Sequence, residues 1–372
     1  MSWRSCRLGD VMTLKRGHDL PAQSRQDGDV PVVSSSGITG YHKEAKATAP
    51  GVVTGRYGTL GEVFYLTQDY WPLNTSLYVI DFKGNDPQFS AYFLKNVLKD
   101  YQSDKAAVPG VDRNVLHEIK VQAPDYPTQL RITEVLSSYD DLIENNRRRM
   151  ALLEESARLL YCEWFVRLRF PGYEHTHIVD GVPDGWERKT LSELCEEIRE
   201  LVSPSSLEPD TPYIGLEHMP RRSIALNEWD TVEKVTSSKS RFKAGEILFG
   251  KIRPYFHKVG VAFVDGVASS DTIVMRPIDE KLHGLVMMTV SSDEFVAVTA
   301  QQMKEGSKMP RADWKQMQAY PVPLPPEGLL SAFDDVIQPI IAQLKSLTFA
   351  NQKLRAARDL LLPRLMSGEI AV

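Results

Sequence analysis

The feature that most constrains the fold is a pair of apolar seams. In the first, Ile132, Leu136, Tyr139, Ile143, Asn146, Met150, Leu153, Ala157, Leu160 and Trp164 recur at steps that alternate four and three. Adding 201 to each number gives Phe333, Ile337, Ile340, Leu344, Leu347, Asn351, Leu354, Arg358, Leu361 and Leu365, a second seam broken only by Arg358. Such a heptad pattern, sustained over more than four heptads, specifies long helices that pack along a coiled-coil seam. Neither stretch contains glycine, and Pro339 is the one expected point of kinking in the second.

The offset of 201 does not stop at the helices. Residues 106–124, AAVPGVDRNVLHEIKVQAP, and 307–325, SKMPRADWKQMQAYPVPLP, share a proline three residues before an aspartate and another twelve residues after it. Farther upstream the offset is 183, where Trp3, Leu8 and Asp10 answer to Trp186, Leu191 and Glu193. The chain is therefore one unit written twice with internal insertions. Each seam carries one asparagine, and an asparagine facing leucine leaves amide groups unpaired at roughly 1–3 kcal/mol. If the helices run antiparallel so that Ile132 meets Leu365 and Trp164 meets Phe333, Asn146 meets Asn351 and the pair fixes the register. The alternative is that both asparagines lie at a solvated edge. Antiparallel helices would carry the two globular segments to opposite ends of a rod. Between Ile132 and Trp164 that rod is about 48 Å long at 1.5 Å per residue, about 14 base pairs of B-DNA.

The expected fold class is α/β, with two globular α/β domains joined by two long antiparallel helices and related by a pseudo-twofold axis. The expected boundaries are 1–126 for the first domain, 127–170 for the first helix, 171–325 for a linker and the second domain, and 326–372 for the second helix and C-terminal tail. Within the domains, GVVTGRYG, SLYVIDF, GEILFGK, VGVAFV and DTIVMRP read as strands. QFSAYFLKNVLKDY reads as a helix, as does KLHGLVMMTVSSDEFVAVTAQQM taken whole.

No catalytic constellation emerges. The run Gly245 to Lys251 imitates a phosphate-binding loop, but Ile252 stands where a magnesium-binding Ser or Thr belongs. Gly55, Gly58 and Gly61 do not make the dinucleotide fingerprint. Pro183, Asp184, Glu187, Arg188 and Lys189 resemble scattered nuclease residues at a polar domain boundary, where a solvated turn is the better reading. HExxH, GxSxG, Asn-Pro-Pro-Tyr and Cys/His metal spacings are absent from the sequence. The expectation is a chain that is not an enzyme and needs no cofactor. Three scattered cysteines, Cys6, Cys162 and Cys195, suit a reducing cytoplasm. The N-terminal MSWRSCRLGD has no apolar signal core, and no apolar run reaches membrane-spanning length.

The domains instead offer clustered hydrogen-bond donors. Lys239, Arg241, Lys243, Lys251, Arg253 and Lys258 are opposed only by Glu246, with Tyr255, Phe256 and His257 among them. Such a mixture can hold phosphates and read base edges, or form an ordinary charged strand face. From it we take Lys251, Arg253, Tyr255 and His257 as DNA-binding candidates. The comparable stretch of the first domain supplies Arg56 and Tyr57, followed by Asn74. The small polar loop 34–41 supplies Ser35, Ser36 and Tyr41. Arg113, Lys308 and Arg311, with Lys105, flank the repeated stretches, where they could bind phosphates or dock each domain on its helix. The net charge of −5 runs against a simple basic nucleic-acid binder.

With these residues in view, the chain resembles the specificity subunit of type I restriction-modification systems. The resemblance rests on VPDGWERKTLSEL, GRYGTLGEVFY, WPLNTSLYV, GEILFGKIRP, the paired proline-aspartate stretches and the closing LLLPRLMSGEI, and covers essentially the whole chain. It implies that the two domains are target-recognition domains, each reading one half of a bipartite double-stranded DNA target. It implies that the helices act as a spacer and dock two methyltransferase subunits, that restriction subunits join the full complex, and that the partners supply all catalysis. Recognition domains vary greatly within this family, so no base-reading residue carries over from it. Two other functions stand beside this one: a stand-alone nuclease or methyltransferase, and a scaffold that joins two proteins through the rod.

Overall fold

A computed structural model describes residues 3–56, 61–99, 110–301 and 310–372. The chain divides into two compact units, Met1–Ile143 with Lys353–Val372, and Glu144–Gln352. Each unit takes in part of both long helices.

In the first unit a four-stranded antiparallel sheet has the order Thr13–Arg16, Ser76–Asp81, Gly51–Gly55, Val63–Leu66. Helix α1 (Pro87–Lys99) packs on it through Phe89, Phe93 and Leu94, all of them buried. A smaller sheet orders Gly37–His42, Val30–Ser34 and Trp71–Pro72. The second unit repeats the larger sheet: Cys195–Ile198, Thr272–Pro277, Ile247–Gly250 and Val259–Ala262 stand in the same order, with Ala225–Leu226 added in parallel at the edge. Its other sheet is larger than its counterpart, with five short strands ordered Leu201–Val202, Lys239–Phe242, Gly266–Ala268, Pro212–Ile214 and Asp230–Thr231.

The repeated stretches have a local cause. Asp112 opens helix α2 (Arg113–Glu118) by accepting the Asn114 N–H on its side chain at 2.9 Å. Asp313 likewise accepts the Lys315 N–H at 3.1 Å and opens a short helix, Trp314–Met317. One turn later Leu116 and Met317 point into their cores. The chain then runs into a strand that pairs back onto the domain's first strand. In the first unit Arg4 faces Ala123, and in the second Glu187 faces Leu324, the same register at offsets of 183 and 201. The hydrogen bonds repeat as well: Leu8 N–H donates to the Ile119 carbonyl, and Leu191 N–H to the Tyr320 carbonyl, both at 2.9 Å. Pro124 at the end of the first strand and Pro325 just beyond the second then lead into the long helices.

That first long helix, α3 (Tyr126–Tyr161), has 36 residues and closes in a π-helical turn, Cys162–Val166. Asp125 caps it, accepting the Thr128 N–H at 3.0 Å. The last helix, Glu327–Met366, has 40 residues and continues through Pro339 without a break. Pro339 faces solvent, while Ile337, Ile340 and Ile341 on the other side are buried, so packing holds the helix where one backbone bond is missing. In the first unit, Ile132 and Leu136 share a core with Leu362, Leu365 and Leu116. There Arg358, the interruption of the seam, forms an ion pair with Asp140, whose other oxygen accepts the Tyr92 hydroxyl at 2.5 Å. In the second unit Trp164 meets Phe333 with ring centroids 5.7 Å apart, and Asn146 Nδ2 donates to Asn351 Oδ1 at 2.9 Å. These two contacts make the helical segments antiparallel within that unit.

One element departs from the sequence expectation. The segment 281–303 is not one helix: α4 (His283–Val290) and α5 (Asp293–Gln301) are separated at Ser291 and Ser292. The Ser292 hydroxyl accepts the Phe295 N–H at 3.1 Å, so the serine starts a new helix instead of continuing the old one.

Candidate nucleic-acid interface

In the second unit the strand end at Gly250 leads into an irregular turn that gathers several cationic groups. Ile252 bridges to Arg311 across two short extended segments. Arg253 N–H donates to the Pro310 carbonyl and Ala312 N–H to the Lys251 carbonyl, both at 2.9 Å. Lys251, Arg253 and Arg311 are thereby held on adjoining backbone. The turn Pro254–Phe256 is flanked by Arg253 (φ +49°) and His257 (φ +54°), both in the left-handed region that costs a residue with a Cβ energy. It presents Tyr255, which is 52% exposed, and Arg253 to solvent.

Phe256 serves as a platform beneath these cations. The Arg221 guanidinium lies 4.0 Å from its ring centroid and that of Arg253 5.8 Å away, both within cation–π reach. Arg221 and its neighbour Arg222 (φ +58°) were not among the sequence candidates. The adjacent pair after Met219-Pro220 was the available signal, but it comes from a distant segment of the chain.

The basic run 239–258 is not one surface. Lys239 is buried, its ammonium on the Ser237 carbonyl at 3.1 Å and hydroxyl at 2.6 Å. Arg241 pairs with Glu200 at 3.1 Å. Lys258 turns inward to the Leu216 carbonyl, and burial, aided by Arg221, pushes its pKa down. His257 is also internal: Nε2 lies 2.8 Å from the Ser291 carbonyl, and burial lowers its pKa despite the nearby Asp293. His257 thus braces the turn from inside, and the exposed donors are left to Arg253 and its neighbours. Arg311 pairs with Asp271 at 3.2 Å, and Lys251 Nζ reaches the Ser270 carbonyl at 3.4 Å.

In the first unit Arg56 follows Gly55 at the corresponding strand end, its N–H on the Thr75 carbonyl and its carbonyl accepting from Val111, each at 2.9 Å. Arg113 is exposed at the start of α2. Asn74 donates its side-chain amide to Asp19, which also pairs with Arg16 at 3.7 Å. The hairpin of the smaller sheet turns at Ser35 and Ser36, where the Ser34 hydroxyl accepts the Ser36 N–H at 3.1 Å. It exposes Ser36, Ile38 and Tyr41, the last at 55%. Tyr57, Lys105 and Lys308 lie outside the described residues. Among the described residues no three His, Cys, Asp or Glu side chains converge as a metal site, and no helix is long and apolar enough to cross a membrane.

The sequence profile described as "Type I restriction modification DNA specificity domain" matches residues 2–155. Two curated relatives extend the likeness beyond that segment. The specificity subunit of type I restriction enzyme MjaIX from Methanocaldococcus jannaschii is 23% identical over 76% of this chain and 68% of its own length. The specificity subunit of EcoDI from Escherichia coli is 22% identical over 88% of this chain and 78% of its own. Residues 2–155 thus match a type I restriction-modification DNA specificity domain, and likeness to specificity subunits runs over most of the chain.

A solved structure shares the fold. The crystal structure of a type I restriction-modification S subunit from M. genitalium superposes with a TM-score of 0.61 at 14% identity, covering 98% of this chain and 96% of that one. Arg253 and Tyr255 at the turn of the second unit, with Ser36 and Tyr41 on the hairpin of the first, are exposed polar and aromatic groups. They combine charge for phosphates with planar groups able to reach base edges.

Proposed function

We propose that this chain is the non-catalytic DNA-recognition subunit of a type I restriction-modification complex, and that each of its two globular domains reads one half of a bipartite target. On this reading the boundaries 1–126 and 171–325 enclose the two recognition domains, and the helices of 127–170 and 326–372 set the spacing between half-targets. The Asn146–Asn351 pair fixes the register of that spacer. Methyltransferase subunits dock on the helices, restriction subunits join the complete assembly, and those partners carry the chemistry in the cytoplasm.

The observation that carries the reading is the duplicated scaffold with unlike surfaces. The pairing of first and last strand, the order of four strands in the larger sheet and the capping aspartates repeat between the two domains. The smaller sheet has three strands in one domain and five in the other. A repeated frame bearing two different faces suits recognition of two different half-sequences. The test is a gel shift of the chain with a type I methyltransferase subunit on a pool of random duplexes. Enrichment of two constant blocks at a fixed gap supports the reading. Binding without any sequence preference, or enrichment of one contiguous block, contradicts it.

A further inference from the structure

The two domains share one cation whose equivalence is hidden in the sequence, because its offset matches neither end of the repeat. Arg56 N–H donates to the Thr75 carbonyl at 2.9 Å, and Lys251 N–H to the Asp271 carbonyl at 2.7 Å. The Arg56 carbonyl accepts from Val111 and the Lys251 carbonyl from Ala312, both at 2.9 Å. Each cation follows the glycine that ends an equivalent strand, Gly55 paired with Ser76 and Gly250 with Thr272. These correspondences put Lys251 at an offset of 195 from Arg56, between the 183 of the domain start and the 201 of its end.

The residues beside this point do not repeat. At the offset of 201 Gly110 answers to Arg311, a glycine where the second domain has a cation. We propose that Arg56 and Lys251 are the phosphate anchors of their respective domains, while specificity rests on the unlike neighbours. The inference rests on the domains being DNA-recognition domains. Two domains that read different sequences have only the sugar-phosphate backbone of the duplex in common, so a cation kept at one framework position meets the common part. The exchange of guanidinium for ammonium points the same way. An Arg-to-Lys exchange is not conservative at a bidentate site, which uses the planar fork, whereas a phosphate accepts either cation as a charge. The backbone of each residue is held at both its N–H and its carbonyl, which fixes where the side chain starts. The Lys251 ammonium has a 3.4 Å contact with the Ser270 carbonyl, long for a hydrogen bond and readily exchanged for a phosphate oxygen.

The test is a salt titration of full-length chain binding to random-sequence duplex DNA, where no target need be known. Each neutralised phosphate contributes about 0.9 to the slope of log affinity against log salt. Arg56→Gln and Lys251→Gln are each expected to lower that slope by about 0.9, and the double variant by about 1.8. Between 50 and 200 mM salt the affinity loss then shrinks by roughly threefold per variant. Arg56→Lys and Lys251→Arg should keep the slope, and unchanged thermal unfolding of the Gln variants shows that the fold is intact. A slope left unchanged by either Gln variant overturns the anchor assignment, as does a loss confined to particular sequences. A wild-type chain that shows no salt-dependent binding to duplex DNA overturns the recognition reading itself, and the anchors with it.

Discussion

Glu154 offers a perturbation whose size follows from the structure. Its carboxylate, only 7% exposed on α3, accepts the Ser223 hydroxyl at 2.6 Å, the Ile224 N–H at 3.0 Å and the Ala225 N–H at 3.1 Å. It thereby ties the edge strand Ala225–Leu226 to the helix within the second unit. Glu154→Ala would strand two backbone donors on buried residues, each at roughly 1–3 kcal/mol. With water relieving part of this, a loss of about 3 kcal/mol is expected. Glu154→Gln retains an oxygen to accept the same donors and should be close to neutral. Both variants also remove a pH dependence that the wild-type chain shows. Burial raises the Glu154 pKa, so the folded chain keeps a proton that the unfolded chain has released. Stability is therefore highest below the ordinary carboxylate range and declines as pH climbs toward the raised value, a slope that Glu154→Gln removes. Hydrogen exchange read at Ile224 and Ala225, alongside denaturant unfolding, gives both quantities. Alanine-variant amides that exchange as slowly as wild type, with no change in unfolding, would refute the reasoning.

Further outcomes follow from single contacts. The Asn146–Asn351 bond predicts a coupling of about 1 kcal/mol in a double-mutant cycle of alanine substitutions, and additive single variants would remove its role in register. Arg253→Ala should relax selectivity at one base pair by about 1–3 kcal/mol in a binding selection. Equal weakening on every sequence would move Arg253 to the phosphates.

The seams and the repeat were legible in the sequence because both are periodic and local. A four-three alternation needs no knowledge of the partner, and the repeated aspartate acts on an amide two residues away. Gly51–Gly55, Ser76–Asp81, Ile247–Gly250, Val259–Ala262 and Thr272–Pro277 were legible as apolar runs for the same reason, whereas the polar edge strands Thr13–Arg16 and Cys195–Ile198 were not. The smaller sheets were not. Several of their strands have two or three residues, and Pro212–Ile214 pairs in parallel with the distant Gly266–Ala268. The run KLHGLVMMTVSSDEFVAVTAQQM kept helical periodicity on both sides of Ser292, so apolar spacing concealed a hydroxyl that starts a new helix.

The candidate interface was legible only in composition. Lys239, Lys258 and His257 read as surface donors, yet burial and internal hydrogen bonds commit them to the domain interior. Arg221 joins Phe256 from another segment, a contact that no local pattern announces. The equivalence of Arg56 and Lys251 emerged from matching backbone bonds, since insertions had shifted the offset between them.

The central claim is that one chain directs modification to two separated half-sequences. Genome-wide methylation mapping in cells that express the chain together with a type I methyltransferase subunit tests it most directly. The account predicts methylated adenine or cytosine within a single motif of two constant blocks and a gap of fixed length, present only when both proteins are made. Methylation of a contiguous motif, or the same pattern without this chain, would contradict it.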